Sequence, residues 1–356
     1  MTIETFGPET VPEGRGFYRA LVLRRQMLLL GLAVALAFSL CLDLALGPAN
    51  YALPEVLRAL LHPSEVDDQL RVILWEIRMP VALMALTVGA SLSVAGAQMQ
   101  TILSNPLASP FTLGISAGAG FGAALALAFG VVFIPAAVDY VIPLNAFLMA
   151  MLTSGLIYGL SLRRGVTPET IVLLGIALVF VFNALMALIQ FFASQQAVAA
   201  VVFWTMGSLT KATWPKLWIS LAVLLAALPL LARHSWALTA MRLGDAKAQS
   251  LGVNPRRIRL EVMVLVSLLA AIAVAFVGTI GFIGLVGPHI ARMILGEDQR
   301  FLLPGSALTG ALILSVGSIL SKVILPGTII PIGIVTSLVG IPFFLWLILS
   351  RKGTAW

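Results

Sequence analysis

The sequence predicts an all-α, polytopic membrane protein with about ten transmembrane helices. Hydrophobic residues make up 60% of the 356 positions, charged residues only 10%, and the mean hydropathy is +1.04. Soluble domains average about 25% charged residues. The apolar residues also fall into runs close to the ~20 residues that a helix needs to cross a bilayer. A soluble fold of this length could not cover so apolar an interior, so the chain is expected to lie in a membrane.

The apolar runs define ten expected spans. They cover about 27–46, 80–103, 111–134, 141–162, 170–193, 214–232, 258–277, 282–296, 302–325 and 332–350. The eighth is short and interrupted by Gly287-Pro288. A segment near 196–210 is expected to form a short helix that re-enters the membrane or lies at its surface. We expect residues 1–26 to form a cytoplasmic tail and residues 27–352 a single transmembrane domain.

The distribution of basic residues predicts the orientation, because cytoplasmic loops are rich in Lys and Arg. Placing both termini in the cytoplasm leaves only six of the 22 basic residues outside: Arg58, Arg71, Arg78, Lys211, Lys216 and Lys322. The net charge of +7 arises from short clusters between apolar runs. That pattern is typical of membrane topology, and we expect no nucleic-acid partner.

Few residues suggest catalysis or cofactor binding. The sequence contains no G-x-x-x-x-G-K-[ST] phosphate loop and no H-E-x-x-H pair. Its single cysteine is Cys41, and its three histidines are too scattered for a metal site. The spans also show no mid-membrane relay of acidic residues of the kind that ion-coupled carriers use. We therefore expect no metal and no enzymatic activity in this chain, and an energy source for transport on another subunit.

Two segments stand out from the apolar background. The run Arg78–Gly118 is dense in Gly and Ala and is broken at Asn105–Pro110. Small residues allow close helix packing, and a broken helix at membrane depth is tolerated where it is buried or lines a cavity. The segment at about 240–256 predicts two short helical turns separated by Gly244 and Gly252. It is either an ordinary solvated turn or a surface that docks a cytosolic partner through an exposed apolar face.

The ordered motifs of these segments resemble the FecCD family of permeases. The resemblance covers about Arg78 to Lys352 and rests on RMP, AGAQMQ, NPLASPFTLGISAGAG, WTMGSL, LGDAKAQSLGV, GFIGLVGPHIAR and PIGIVTSLVGIPFFLWL. Members are membrane subunits of ABC importers for ferric siderophores, haem and cobalamin. The resemblance implies the type II ABC importer permease fold, with ten helices per subunit and residues 27–352 as one permease domain.

The resemblance also implies the partners and the location. The chain is expected to pair as a homodimer in the lipid bilayer of the bacterial inner membrane. Two cytosolic ABC ATPase subunits would bind ATP and Mg, so the permease itself would carry no cofactor. A periplasmic substrate-binding protein would dock outside. The cargo is expected to be a ferric chelate, with siderophore ahead of haem and cobalamin third.

Site residues carry over from the matching motifs. The cytoplasmic gate would comprise Asn105, Leu107, Thr167 and Pro168, unless these are ordinary helix-terminating turns. ATPase coupling would use the segment with Leu243, Gly244, Asp245, Ala248, Leu251 and Gly252. The pathway lining would comprise Trp204, Met206, Gly207, Ser208, Gly333, Val335 and Thr336, with small-residue helix packing as the alternative reading.

The outer face carries two further implied sites and two departures from the family pattern. Arg78 and Lys322 match basic positions that meet acidic residues of the binding protein. Val81 stands where a second Arg is common, and the ninth span lacks an Asp often found there, so a paired polar contact is expected to be missing.

His289 is expected to be a hydrogen-bonded structural residue. An ion-coupled carrier and a membrane-embedded enzyme are the competing classes.

Overall fold

The computed structural model is helical throughout the part of the chain that it describes, residues 11–350 apart from 48, 50, 136–137, 163–166 and 326. A π-helical turn, Ile73–Arg78, precedes α4. The fifteen helices are α1 Val11–Ala45, α2 Leu53–Leu61, α3 Asp68–Val72, α4 Met79–Ile102, α5 Ile115–Phe129, α6 Val138–Ser161, α7 Pro168–Phe192, α8 Gln195–Thr205, α9 Trp214–Ala232, α10 Ser235–Met241, α11 Asp245–Ser250, α12 Pro255–Val277, α13 Ile283–Leu295, α14 Gln299–Val323 and α15 Ile332–Ser350.

Ten apolar helices account for the ten expected spans. Seven are long and apolar enough to cross a membrane, including the continuous run Asp68–Ile102 that ends in α4. The other three apolar stretches are shorter: α5, α13 and Ile332–Trp346 of α15. The described residues contain no strand. The prediction of an all-α, multi-pass membrane protein is therefore confirmed.

Two boundaries differ from the expectation, while the short helix expected near 196–210 is present. Helix α1 begins at Val11, so residues 11–26 continue the first span as helix. Pro12 does not prevent this, because proline is tolerated in the first turn, where no intrahelical N–H bond is lost. The segment near 196–210 forms α8 and a turn, and at 11 residues α8 is too short to span a bilayer. Helix α13 continues through Gly287 and Pro288, where a break was expected.

A side chain from α4 compensates for the proline inside α13. Pro288 has no N–H to donate to the carbonyl four residues earlier, that of Gly284. Gln100 Nε2 of α4 donates to this carbonyl at 3.2 Å, and both partners are buried. The helix therefore persists because a neighbour supplies the missing donor.

Helix α4 is the central element of the bundle. Nearly all of its residues are buried, and it packs against α9, α12, α13 and α14. Glycines permit the closest of these approaches, because a Cβ at Gly89 would overlap the Gly310 carbonyl and one at Gly96 the Gly284 carbonyl. Backbone-to-backbone packing of this kind is how membrane helices associate without a hydrophobic driving force.

Buried polar contacts fix the register of α4 against α14. Gln98 Nε2 donates to Gln299 Oε1 at 3.1 Å, and Gln299 Nε2 donates to Thr101 Oγ1 at 3.0 Å. In the apolar interior these amides would be costly to leave unpaired. The pairing therefore selects one alignment of the two helices among those that apolar contacts alone would allow.

The glycine contact of α4 predicts a stability difference between two matched substitutions. Gly96→Ala places a methyl group into the Gly284 carbonyl, and such overpacking costs about 1–3 kcal/mol. Gly159→Ala, in α6, adds a methyl group that has no neighbouring atom within 4 Å. It should be neutral or slightly stabilising, since Ala favours helix over Gly by up to ~1 kcal/mol. Thermal unfolding of the purified chain checks both. Equal melting temperatures for the two variants would contradict the packing assigned to α4.

Candidate functional site

The break after α4 is a set of turns held by short polar side chains. Asn105 Oδ1 accepts a hydrogen bond from the Leu107 backbone N–H at 2.9 Å, which forms a local turn. Ser109 and Thr112 bond to each other, with the Ser109 N–H donating to Thr112 Oγ1 at 2.9 Å. Leu107 is exposed at the tip of this loop. The break therefore presents an apolar side chain on a defined turn.

The second pair of predicted gate residues lies at the start of α7. Thr167 caps this helix by accepting a bond from the Thr170 N–H at 3.4 Å, and Pro168 occupies its first position. Residues 163–166 before it lie outside the described part of the chain. Among the described residues, no hydrogen bond or ion pair joins Asn105 or Leu107 to this pair. A single protomer thus shows two capped turns, and their role as a gate stays a prediction.

A cavity of about 470 Å³ lies where the break, the end of α8, the start of α13 and the start of α15 meet. Hydroxyl groups and apolar side chains line it, and none of its described lining residues is ionisable. Two predicted lining residues, Met206 and Gly333, are part of this wall, joined by a bond from the Gly333 N–H to the Met206 carbonyl at 3.0 Å. A cargo in this cavity would meet a smooth surface without fixed charges.

The other predicted lining residues lie elsewhere in the protomer. Trp204 and Val335 are buried, and Gly207 packs against the Thr279 carbonyl with a positive φ of 69°. Thr336 lines a separate cavity of about 310 Å³ beside α14. Ser208 lines another, of about 650 Å³, at the opposite end of the bundle from the coupling segment. For Gly207, close packing of small residues is the better description, because a Cβ there would overlap the Thr279 carbonyl oxygen.

The expected coupling segment forms α10, α11 and the turns around them. Gly244 and Gly252 have φ of 93° and 82°, which only glycine adopts without strain. The exposed apolar side chains are Leu243 and Leu251, at 57% and 49%. Ala248 was expected on the exposed face, but it is completely buried. Its methyl group anchors α11 to the bundle, so the exposed apolar face consists of the two leucines.

One arginine ties the coupling segment to the end of α4. Arg259 Nη2 of α12 contacts both carboxylate oxygens of Asp245, at 3.1 and 3.2 Å. Its Nε donates to the Ile102 carbonyl at 2.7 Å. Ile102 is the last residue of α4, three positions before Asn105. Arg259 therefore links α11 to the last residue of α4, next to the break.

A second polar chain joins the same two regions through α13. Arg242 Nη2, just before the coupling turn, contacts Glu297 Oε1 at 2.8 Å, and Arg292 Nε lies 3.4 Å from Glu297 Oε2. Arg292 also donates from Nη1 to Gln100 Oε1, the side chain that caps Gly284. Sequence reasoning missed Arg259 and Glu297 because nothing in their spacing indicates which distant helix they contact.

The outer-face cations are satisfied within the chain. Arg78 is buried and donates from Nη1 to the carbonyls of Leu44 and Ala45, at 2.6 and 3.1 Å, and from Nη2 to that of Ala49. Its guanidinium also stacks over Tyr51. The Arg78 guanidinium was expected to meet the binding protein on the outer face. In the structure it caps the end of α1 instead.

Lys322 makes the paired contact that the sequence appeared to lack. Its Nζ lies 2.9 Å from Asp43 Oδ1, and Ser318 Oγ donates to Asp43 Oδ2 at 3.1 Å. The lysine side chain is 8% exposed and the aspartate 0%. The expectation of a missing contact was wrong, because the acidic partner comes from α1 and not from the ninth span itself.

His289 packs against an aromatic ring of α15. The His289 ring contacts Phe343 edge-on, with centroids 6.3 Å apart. Within the described ranges, no cluster of three or more His, Cys, Asp or Glu side chains has the geometry to hold a metal ion.

Similarity to known proteins shows the family to which this chain belongs. A model of the FecCD transport family matches residues 35–350. The chain belongs to this family.

Relatives within the FecCD family are named for three cargoes. An iron chelatin transport permease of Helicobacter pylori is 39% identical over 82% of this chain and 87% of its own length. The hemin transport permease of Yersinia pestis is 35% identical, covering 87% and 92% of the two chains. A vitamin B12 import permease of Serratia proteamaculans is 34% identical, covering 92% and 94%. The predicted ABC permease identity is confirmed.

A solved structure of the same class has the same fold. It is an inward-facing conformation of a transporter described as metal-chelate type, with a TM-score of 0.82, 30% identity, and coverage of 92% of this chain and 100% of its own. The predicted type II permease fold therefore agrees with an experimentally determined relative.

The buried pair between Asp43 and Lys322 predicts a strongly non-additive double mutant. Lys322→Met leaves a fully buried carboxylate without its cation, and breaking such a pair costs about 3–5 kcal/mol. Asp43→Leu/Lys322→Met removes both charges and should recover more than half of that loss. Thermal unfolding of the purified single and double variants measures the difference. Additive losses would show that the two charges do not depend on each other.

Proposed function

We propose that this FecCD-family chain is the permease subunit of an ATP-driven importer that carries a ferric chelate. Siderophore is the first candidate cargo, haem the second and cobalamin the third. The working unit is a homodimer with two cytosolic ABC ATPases, which bind ATP and Mg, and a periplasmic binding protein. The location proposed is the bacterial inner membrane, with both termini in the cytoplasm.

The linkage between the coupling segment and α4 is the observation that carries this proposal. An imported cargo needs a pathway whose opening responds to an event on the cytosolic side. Arg259 and Glu297 connect the segment that exposes Leu243 and Leu251 to the break in α4 and to the cavity wall. ATPase closure against these two leucines would thus shift the turn that holds Leu107.

The cavity supports a bulky chelate over a small ion. Its described wall offers hydroxyls and a largely apolar surface, which suits a large cargo that must pass without being held by a fixed charge. Two such cavities at a dimer axis would enclose a larger space than one protomer shows. The relatives support the order of cargoes, since the iron chelatin permease is more similar to this chain than the hemin and vitamin B12 permeases.

The outer face remains the proposed docking surface for the binding protein, with a revised role for its two cations. Because Arg78 and Lys322 are bonded internally, they would shape this surface by fixing the ends of α1 and α14. On the inner face, Asn105 and Leu107 would form the gate together with Thr167 and Pro168 across the dimer, since one protomer does not bring them into contact.

Affinity purification of the tagged full chain from its host tests the proposed function. Recovery of a subunit with a phosphate-loop motif in equal amount is expected, followed by ATP-dependent chelate uptake by the reconstituted complex. Leu251→Asp should lose the ATPase while leaving thermal unfolding unchanged. Leu61→Asp, at an exposed leucine of α2, is the matched control and should retain it. Uptake that survives ATP depletion and collapses with an uncoupler would favour an ion-coupled carrier.

The Arg242–Glu297–Arg292 chain predicts an uncoupling variant. Glu297→Gln removes the carboxylate that both arginines share, so the coupling turn and α13 no longer move together. The assembled complex should hydrolyse ATP at a rate within about twofold of wild type while chelate uptake falls roughly tenfold, as expected for a coupling energy of ~1–3 kcal/mol. Glu55→Gln, on α2, is the control. Parallel loss of hydrolysis and uptake would assign Glu297 to assembly and not to coupling.

A further inference from the structure

A basic cavity lies outside every site described so far. It has a volume of about 580 Å³ and opens where α6 and α9 end and α12 begins. Because α10 and α11 connect α9 to α12, the cavity lies at the same end of the bundle as the coupling segment. It therefore lies at the level where α6, α9 and α12 reach the membrane surface.

The mouth of this cavity is positively charged. Arg233, Arg256 and Arg257 line it together with a single acidic residue, Glu261. Glu261 lies 2.8 Å from Arg257 Nε and 3.8 Å from Arg233 Nη2. Burial lowers the pKa of the neighbouring His234 even though Glu261 lies beside it, so this histidine is neutral at pH 7 and adds no charge. Three guanidiniums and one carboxylate leave a net charge of +2.

The arginines keep donors available at this mouth. The side chains of Arg233 and Arg257 are 61% and 74% exposed although both approach Glu261. Arg256 donates from Nη2 to the Leu162 carbonyl at the end of α6. A guanidinium has five N–H donors, so these contacts leave an array of donors that suits a phosphate group.

Below the mouth, the cavity wall is apolar. Leu230, Leu260, Val264 and Leu265 line this part. From Arg257 to Leu265 the α12 axis advances by roughly 12 Å at ~1.5 Å per residue. Val264 and Leu230 are exposed, and Ala226, one helical turn before Leu230 on α9, is exposed as well. A ligand here would meet charge at one end and hydrocarbon at the other.

We propose that this cavity binds one anionic phospholipid of the membrane leaflet next to the coupling segment. The phosphate lies among the three arginines, and the acyl chains follow Leu230, Val264 and Ala226. Basic pockets between spans at a membrane surface are suited to acidic head groups. A soluble anion would leave the apolar track uncovered, and an acidic protein surface would not reach residues at membrane depth. The assignment does not depend on the cargo or on the ATPase.

Native mass spectrometry of the purified full chain with added phosphatidylglycerol tests the assignment. Wild type is expected to retain one phosphatidylglycerol in preference to phosphatidylcholine. Arg233→Gln/Arg257→Gln should bind it roughly 30-fold more weakly, at ~1 kcal/mol per basic residue near the surface. Glu261→Gln, which raises the net charge, should bind it more tightly. Arg19→Gln/Arg24→Gln, at exposed arginines of α1, is the control of equal charge and should bind as wild type does.

The other outcomes overturn the proposal in distinguishable ways. Competition by millimolar inorganic phosphate would indicate a site for a free anion. Equal weakening in the Arg19/Arg24 control would indicate non-specific attraction to the basic surface. Unchanged lipid binding by the Arg233/Arg257 variant, together with loss of ATPase capture, would assign the arginines to the protein partner. Melting temperatures of all variants confirm that each is folded.

Discussion

The close approach of α4 to its neighbours is the constraint on which the rest of the structure depends. Glycines at the contacts let the backbones of α4, α13 and α14 meet, so α4 is buried along nearly its whole length. A helix in that position has little lipid-facing surface, so other elements can act on it only through side chains that contact it. Arg259, Arg292 and Gln299 do so, and they join the coupling segment, α13 and α14 to the same helix.

The fold class could be predicted from the sequence, because the ability of a segment to span a membrane depends on its length and composition. Apolar runs give the ten helices, and small residues give their close packing. The persistence of α13 through Pro288 did not follow, because it depends on a partner distant in sequence. Gln100 supplies the donor that Pro288 lacks, and a proline considered alone predicts a break there.

The candidate site was predictable as a set of segments but less so residue by residue. The motifs located the break and the coupling segment, yet Ala248 is buried and Trp204 and Val335 lie inside the protomer. Arg78 and Lys322 appeared free because their partners, the end of α1 and Asp43, lie more than 25 residues away. Burial and long-range ion pairing are tertiary properties, so periodicity and motif spacing carry no information about them.

Paired spin labels test most directly whether the coupling segment and the broken helix move as one body. With Cys41 replaced by serine, a label at Gln249, an exposed residue of α11, or at Leu107 reports its distance to the same position in the partner protomer, with and without ATP in the assembled complex. The account predicts that both distances change together, and that Arg259→Gln abolishes the change at Leu107 only. A change at Gln249 while the Leu107 distance stays fixed in the complex with Arg259 intact would contradict it.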